Sequence, residues 1–314
     1  MQEKSLYRSY SQYLKETYGE KVYKIPIHLP ASCPNRDGTI GVTGCSFCGD
    51  EAGGFESLPA SLSVKSQLSQ NMAYMGRRYG AKKFIAYFQN FSNTYLPTVN
   101  FRQSMLDSVE ANVVGLAVST RPDCLPESCL EITAEIQSQE KMTVTYELGL
   151  QTANYHTLLD INRGHGLAEF INAVQVLKKY GFGVCAHVIL NLPGDKMIDV
   201  VETARVLTAL RIDQVKIHAL YIMRKTTMGK WYMDGRISLI SRDEYEERVI
   251  QFLENLDPGI VIQRLVGRAP EEDSLFVNWG TSWWKIRESI HEKMRRGKRY
   301  QGSKSQFPQH RVRE

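Results

Sequence analysis

The chain has 314 residues, 42% of them hydrophobic and 23% charged, the balance of a globular protein long enough to bury a substantial core. No apolar run approaches the roughly 20 residues that span a bilayer. The first residues also lack the apolar core and small-residue cleavage site of a secretory leader, so the expected location is the cytoplasm. The net charge of +5 hides an asymmetry: residues 285–314 hold ten Lys or Arg against three Glu, while residues 1–284 hold 29 basic and 31 acidic side chains.

An N-terminal segment, 1–21, places Tyr7, Tyr10, Tyr13 and Tyr18 at near-helical spacing, which points to packing rather than recognition. Apolar, β-branched stretches then follow at 22–29, 84–89, 114–120, 142–151, 183–192 and 214–220. Between them, 62–79, 101–111, 127–139, 167–180 and 198–210 have the apolar spacing of helices. Strands alternating with helices predict a parallel sheet with right-handed crossovers, doubly wound or barrel-like.

The alternation fades after Tyr221, through a connector over 223–235. A helix begins at Ser241, capped in Ser-x-x-Glu fashion by Ser241 and Glu244, and is followed by a short strand at 261–265 and a Trp-rich segment at 279–284. The expected organisation is therefore an N-terminal segment (1–21), an α/β body (22–235) and a small α+β extension with a basic tail (236–314).

Three of the six cysteines fall within sixteen residues, as Cys33, Cys45 and Cys48 in a C-x11-C-x2-C arrangement directly after the first strand. Clustered cysteines in a chain this long indicate metal or redox chemistry rather than a disulfide framework. Thiolates suit iron, and three of them on a glycine-rich loop can hold three corners of a cubane cluster, leaving one iron open to a chelating ligand. The alternative is a zinc site with His28 as fourth ligand, although structural zinc prefers two short-spaced ligand pairs. Cys124, Cys129 and Cys185 are separated and have apolar neighbours, as ordinary buried thiols do.

Polar residues recur towards the ends of successive strands: Gln89, Ser119, Glu147 with Gln151, His187 with Asn191, and Lys216 with His218. Barrel active sites are built at these C-terminal strand ends.

The segment Cys45-Ser-Phe47-Cys48 resembles the C-x-aromatic-C end of the radical S-adenosylmethionine (SAM) motif. The longer spacing resembles the branch related to the elongator catalytic subunit, and most closely the YhcC/YtqA-like family. The resemblance extends over 33–49, 88–95, Ser119-Thr-Arg-Pro-Asp123, Glu147-Leu-Gly-Leu-Gln151, Asn162-Arg-Gly-His165, 187–195 and Val261-Ile-Gln-Arg264. It implies a partial (β/α)6 TIM-like barrel and a 4Fe-4S cluster on Cys33, Cys45 and Cys48. It also implies reductive cleavage of SAM to a 5′-deoxyadenosyl radical, with electrons from a donor such as flavodoxin or ferredoxin.

By the same resemblance Gln89 and Asn90 fall where the SAM amino group is bound, although no Gly-Gly-Glu is present. Ser119 and Arg121 fall on the ribose and carboxylate strand, where an arginine fork suits a carboxylate. Glu147, Gln151, His187 and Asn191 complete the cofactor candidates, Asn191 opening a turn similar to one that holds adenine.

The implied substrate is tRNA, at the carbon-5 side chain of wobble uridine, with conversion of a carboxymethylaminomethyl group to an aminomethyl group. Lys293, Arg295, Arg296, Lys298 and Arg299 are the candidate RNA contacts, and Tyr300, Phe307 and His310 could stack on bases. Two other readings remain: a radical SAM enzyme acting on a small metabolite or peptide, and a non-catalytic, metal-stabilised RNA-binding protein.

Overall fold

The computed structural model describes residues 5–49, 57–268 and 272–305, so Phe307 and His310 lie outside the described residues. In chain order the elements are α1 (Tyr10–Tyr18), β1 (Val22–Ile27), α2 (Val64–Tyr79), β2 (Lys83–Phe88), α3 (Thr98–Leu106), β3 (Val113–Thr120) and α4 (Glu127–Glu140). Next come β4 (Thr143–Gln151), α5 (Tyr155–Asp160), α6 (Leu167–Lys179), β5 (Gly183–Ile189), α7 (Met197–Ala209) and β6 (Gln214–His218). The chain continues with β7 (Ile222–Met223), α8 (Thr227–Met233), α9 (Arg242–Asn255), β8 (Val261–Arg264), β9 (Ser274–Phe276) and α10 (Trp283–Arg296).

Seven strands pair in parallel in the order β1-β2-β3-β4-β5-β6-β8, making a half-barrel with helices around it. Alternation along each strand decides its two faces. Ile25, Ile27, Phe84, Phe88, Val118, Leu148, Val188 and Ile217 join a buried cluster with helix residues such as Leu68, Phe101, Phe170 and Leu207. The opposite, inner face carries Lys24, Tyr87, Ser119, Glu147, His187 and Lys216. Curling brings the edge strands together: Lys24 Nζ on β1 donates to Gln263 Oε1 on β8 at 3.1 Å.

The strand expected in the C-terminal extension is the seventh member of the barrel sheet. β8 pairs in parallel with β6. Four residues after a 14-residue helix carry too little alternation to reveal which sheet they join. In the extension β9 pairs antiparallel with β7, and α10 buries Ile286, Ile290 and Met294 at i, i+4 and i+8.

The N-terminal segment is a plug. Ser9 caps α1, accepting from Gln12 N, and Gly19 ends it in the left-handed conformation, φ 73°. Leu14, with Tyr10, Tyr13 and Tyr18, packs on Val22, Ile85, Tyr87 and Ala117 of the inner face. Arg8 O accepts from Ile262 N at 2.8 Å, so the segment also extends the β8 edge. No helix among the described residues is long and apolar enough to cross a membrane.

Replacing Leu14 by Ala removes the plug's buried aliphatic side chain and is expected to cost about 2–4 kcal/mol of stability. Lys15→Ala, on the exposed side of the same helix, should stay within about 0.5 kcal/mol of the parent. Urea midpoints measure both; equal effects would show that α1 does not seal the barrel.

Candidate active site

The cysteine loop lies across the C-terminal end of the sheet, and the segment after α5 clamps it. Ser46 N donates to Ile161 O at 2.9 Å, Asn162 Nδ2 to Gly44 O at 2.7 Å, and Asn35 Nδ2 to Asn162 O at 2.8 Å. From the other side, Met228 N at the start of α8 donates to Ser46 O at 2.8 Å. Cationic side chains are aimed at the sulfurs: Arg163 Nη1 lies 3.4 Å from Cys45 Sγ and Arg121 Nη1 4.0 Å from Cys33 Sγ. Arg163 reaches Cys45 by passing over Gly149, whose carbonyl accepts from Nη2 at 2.9 Å. A Cβ on Gly149 would stand 2.6 Å from that nitrogen, which gives a physical reason for glycine there.

The three cysteines line a cavity of about 230 Å³ that runs down into the half-barrel. Its floor is built around Glu147, whose side chain is fully buried. Glu147 is contacted by Lys24 Nζ, and accepts from Lys216 Nζ at 3.2 Å, Gln263 Nε2 at 3.1 Å and His187 Nε2 at 2.8 Å. Lys216 Nζ also donates to the Tyr87 hydroxyl at 2.8 Å, and both lysine ammoniums sit 4.3 Å from the centre of the Tyr87 ring.

A second chain of contacts starts at Arg264, whose Nη2 lies 2.7 Å from His218 Nδ1. His218 Nε2 is 3.3 Å from His187 Nδ1. One set of tautomers satisfies every step with neutral rings: Arg264 donates to His218, His218 to His187, and His187 to Glu147.

Burial alone would push Glu147 up, but Lys216, Lys24 and the His187 hydrogen bond hold its carboxyl well below the usual carboxylate range. Burial lowers His187 to about 4 against the pull of Glu147, and burial with Arg264 holds His218 well below its ordinary value. Lys216 is lowered by burial to about 8, although Glu147 favours its charged form. His165, beside the clamp, is lowered by burial, Arg163 and Arg121 to about 2.

Among the described residues, the only three His, Cys or carboxylate ligand atoms within 4.8 Å of one another belong to Glu147, Cys185 and His187. That trio already has two lysines on its carboxylate, and burial holds the Cys185 thiol far above its ordinary pKa, so it does not suit a cation. The three loop sulfurs do not all lie within 4.8 Å of one another, as the thiolates of one tetrahedral ion would, and three thiolates are a donor set suited to cluster corners. The donor set and the cavity beside it therefore fit a cluster with one exchangeable position and a chelating cofactor.

Residues 33–207 match the model of the Radical SAM superfamily, and residues 212–296 match the Radical_SAM C-terminal domain. The chain belongs to the radical SAM superfamily. Its cofactors are a 4Fe-4S cluster and SAM, and it is a radical SAM enzyme. It is similar to the uncharacterized protein YtqA of Bacillus subtilis (strain 168), with 34% identity over 94% of this chain and 92% of the relative. A tRNA uridine(34) acetyltransferase of Methanocaldococcus jannaschii is 28% identical over 50% of this chain, the match spanning 28% of that enzyme. In fold the chain is similar to the archaeal Methanocaldococcus infernus Elp3, with a TM-score of 0.69, 15% identity, and coverage of 89% of this chain and 64% of the other.

In this radical SAM barrel, Gln89, Ser119, Arg121, Glu147, Gln151 and His187 all line the cavity. Ser119 Oγ donates to the Tyr87 hydroxyl at 3.2 Å, and Gln151 ends β4 with φ 76°. The Arg121 fork is closed on its own chain, donating to Asp123 Oδ1 and Oδ2 at 2.8 and 2.7 Å. Asn90 and Asn191 are buried behind the cavity wall. Asn191 Oδ1 accepts from Leu220 N at 2.7 Å, while its Nδ2 is buried with no hydrogen-bond partner among the described residues. Cys124, Cys129 and Cys185 are buried thiols, with burial pushing Cys124 up to about 12 and Cys129 to about 11.

The sequence reading did not single out Arg163 or Asn35 as partners of the cysteine loop. Arg163 lies within the quoted Asn162-Arg-Gly-His165 segment, but nothing in its spacing indicates a contact with Cys45. The basic run falls at the end of α10 and the turn after it, and part of it is engaged internally. Arg299 forks both Glu247 and Glu254, with all four N···O distances between 2.7 and 3.0 Å, and Lys293 bridges Asp243 and Glu246. Arg296 pairs with Glu292 on its own helix. Arg295, Arg296 and Lys298 remain exposed.

Gly149→Ala is expected to push the Arg163 guanidinium off Cys45 while the sheet stays intact. Cluster retention under chelator challenge should fall about 10-fold, as for other residues that orient metal ligands. Parental retention in a folded variant would show that Arg163 does not support the loop.

Acid should weaken the fold earlier than carboxylate titration alone would. The unfolded histidines take up protons near pH 6.5, whereas folded His187 does so near 4, His165 near 2, and His218 well below its ordinary value. Stability is therefore full above pH 6.5 and falls as the pH drops towards 4, by up to roughly 1.4 kcal/mol per pH unit for each histidine. Urea midpoints at about pH 7.5, about 6.5 and about 5 measure this; no loss between the last two would contradict the neutral assignment.

Proposed function

We propose that Cys33, Cys45 and Cys48 hold the cluster and that the enzyme acts on tRNA at the carbon-5 substituent of the wobble uridine. The reaction is cleavage of the carbon–nitrogen bond of a carboxymethylaminomethyl group with SAM as the two-electron oxidant: the carboxymethyl carbon is oxidised, water adds to it, and it departs as glyoxylate while the nitrogen stays on the aminomethyl group. The observation that carries this reading is the similarity, over half the chain, to an enzyme named for uridine 34 of tRNA. The Elp3 likeness supports the shape of the barrel.

When bound, the cluster and SAM supply the radical that removes a hydrogen atom from the substrate side chain. The protein's part is to orient and enclose. Gln89, Ser119 and Gln151 line the upper cavity as SAM contacts, and Arg121 fixes the wall between the cysteine loop and β3. Glu147 and His187 are set lower, and Asn90 and Asn191 support the rim from behind. An external donor such as flavodoxin or ferredoxin delivers the electron.

The RNA lies along the outer side of α10. Lys293 and Arg299 are tied to carboxylates of α9, and the contacts are assigned, on their exposure, to Arg295, Arg296 and Lys298, which lose affinity as salt displaces them from phosphate. Neutralising these three is expected to weaken tRNA binding and flatten its salt dependence. Arg299→Ala should instead lower stability by about 1–3 kcal/mol by releasing two carboxylates. Unchanged tRNA affinity across a salt series for the triple variant would remove α10 from the interface.

Nucleoside profiles of bulk tRNA from cells with and without the protein test the reaction. Loss of the protein should raise carboxymethylaminomethyluridine and deplete aminomethyluridine and its derivatives. An unchanged profile, with SAM cleavage intact in the purified enzyme, would favour a small metabolite or peptide substrate.

A further inference from the structure

The cavity floor has more positive than negative charge. Lys24, Lys216 and Arg264 converge on one carboxylate, Glu147, and the two histidines between them are neutral in the contact chain. Other cations near the cavity are engaged: Arg121 by Asp123, Arg163 by Gly149 O and Cys45, and Arg36 by the carbonyls of Cys48 and Gly49 at 2.6 and 2.8 Å. Arg264 has only the neutral His218 ring as hydrogen-bond partner among the described residues, through Nη2, and its Nε, like that of Arg163, is buried with none.

Its guanidinium lies close over Gly267, where a Cβ would stand 2.9 Å from Nη2, so the backbone leaves room for it beside the cavity. Lys216 is only 8% exposed; burial lowers its pKa, and the neighbouring Lys24 and Arg264 charges lower it further, although Glu147 favours its charged form. Buried cations without compensation are costly, and an anion brought in by a ligand would relieve this cost. A planar guanidinium beside an ammonium is the arrangement that recognises a carboxylate.

We propose that Arg264 and Lys216, braced by the His218–His187–Glu147 chain, form a subsite for a carboxylate of the substrate at the floor of the barrel. The proposal rests on the tRNA reading above, where the carboxymethylaminomethyl group supplies that carboxylate. Seating the carboxylate at the floor places the neighbouring carbon and nitrogen higher in the cavity, towards the cysteines at its mouth. The subsite is a positioning and specificity device: it favours the substrate over the aminomethyl product, which keeps the ammonium but lacks the carboxylate.

The test uses the cluster-loaded enzyme with three anticodon stem-loop RNAs: unmodified, carrying carboxymethylaminomethyluridine, or carrying its carboxamide. The parent should bind the carboxylate RNA about tenfold or more tightly than the carboxamide. Arg264→Gln should reduce this preference to about twofold or less, mainly through KM, and Arg264→Lys should restore part of it. Equal binding of the carboxylate and carboxamide RNAs by a parent that processes the former would overturn the subsite while leaving the tRNA reading intact. A fall in SAM affinity in Arg264→Gln with the RNA preference unchanged would also overturn it, assigning these cations to the carboxylate of SAM.

If the parent binds neither modified RNA better than the unmodified one, the tRNA reading fails, and melting in acetate against acetamide at constant ionic strength decides the subsite. A higher melting temperature in acetate for the parent, absent in Arg264→Gln, supports it. No rise in the parent overturns it.

Discussion

Glu147 is the point on which the interior depends. Its carboxylate touches Lys24 from β1, His187 from β5, Lys216 from β6 and Gln263 from β8, so that with its own β4 it links five of the seven barrel strands. A carboxylate this deeply buried is tolerable only with such compensation, and the lysines are equally dependent on it. The link between β1 and β8 matters most for shape. These strands are the two edges of the sheet, and their shared contact with Glu147 holds the curl that gives the barrel an inside.

The same arrangement defines the two ends of the cavity. Above Glu147 the strands end in the cysteine loop, held by hydrogen bonds from the 161–163 segment and from the start of α8. Below it, the tyrosine-rich plug closes the inner face with apolar packing. Radical chemistry benefits from both features, because a reactive group must be positioned closely and kept from adventitious partners. The plug and the extension are joined as well: Gln301 N donates to Leu6 O, and Arg8 N donates to Gln301 Oε1.

Much of this was legible in the sequence because the signals are local. Apolar periodicity placed β1 to β6 and the helices α2, α3, α4, α6 and α7 but not the short α5, and the polar residues at strand ends, Asn191 apart, lie around one cavity. The C-x11-C-x2-C spacing pointed to the loop. What escaped depends on contacts between distant residues. β8 is too short to declare its sheet, Arg163 meets Cys45 across 118 positions, and the Lys24–Glu147 pair spans 123. The basic run was visible as charge, but its pairing with Glu247 and Glu254 arises only when α10 lies on α9.

A double-mutant cycle between Glu147 and Lys216, read as unfolding free energy, tests this account most directly. Glu147→Gln is expected to cost about 3–5 kcal/mol because two buried ammoniums lose their partner. Adding Lys216→Met should recover about 1–3 kcal/mol of that loss, a coupling well outside additive behaviour. Additivity to within about 0.5 kcal/mol would show that the carboxylate and the ammonium act independently, and the interior would not be organised around Glu147.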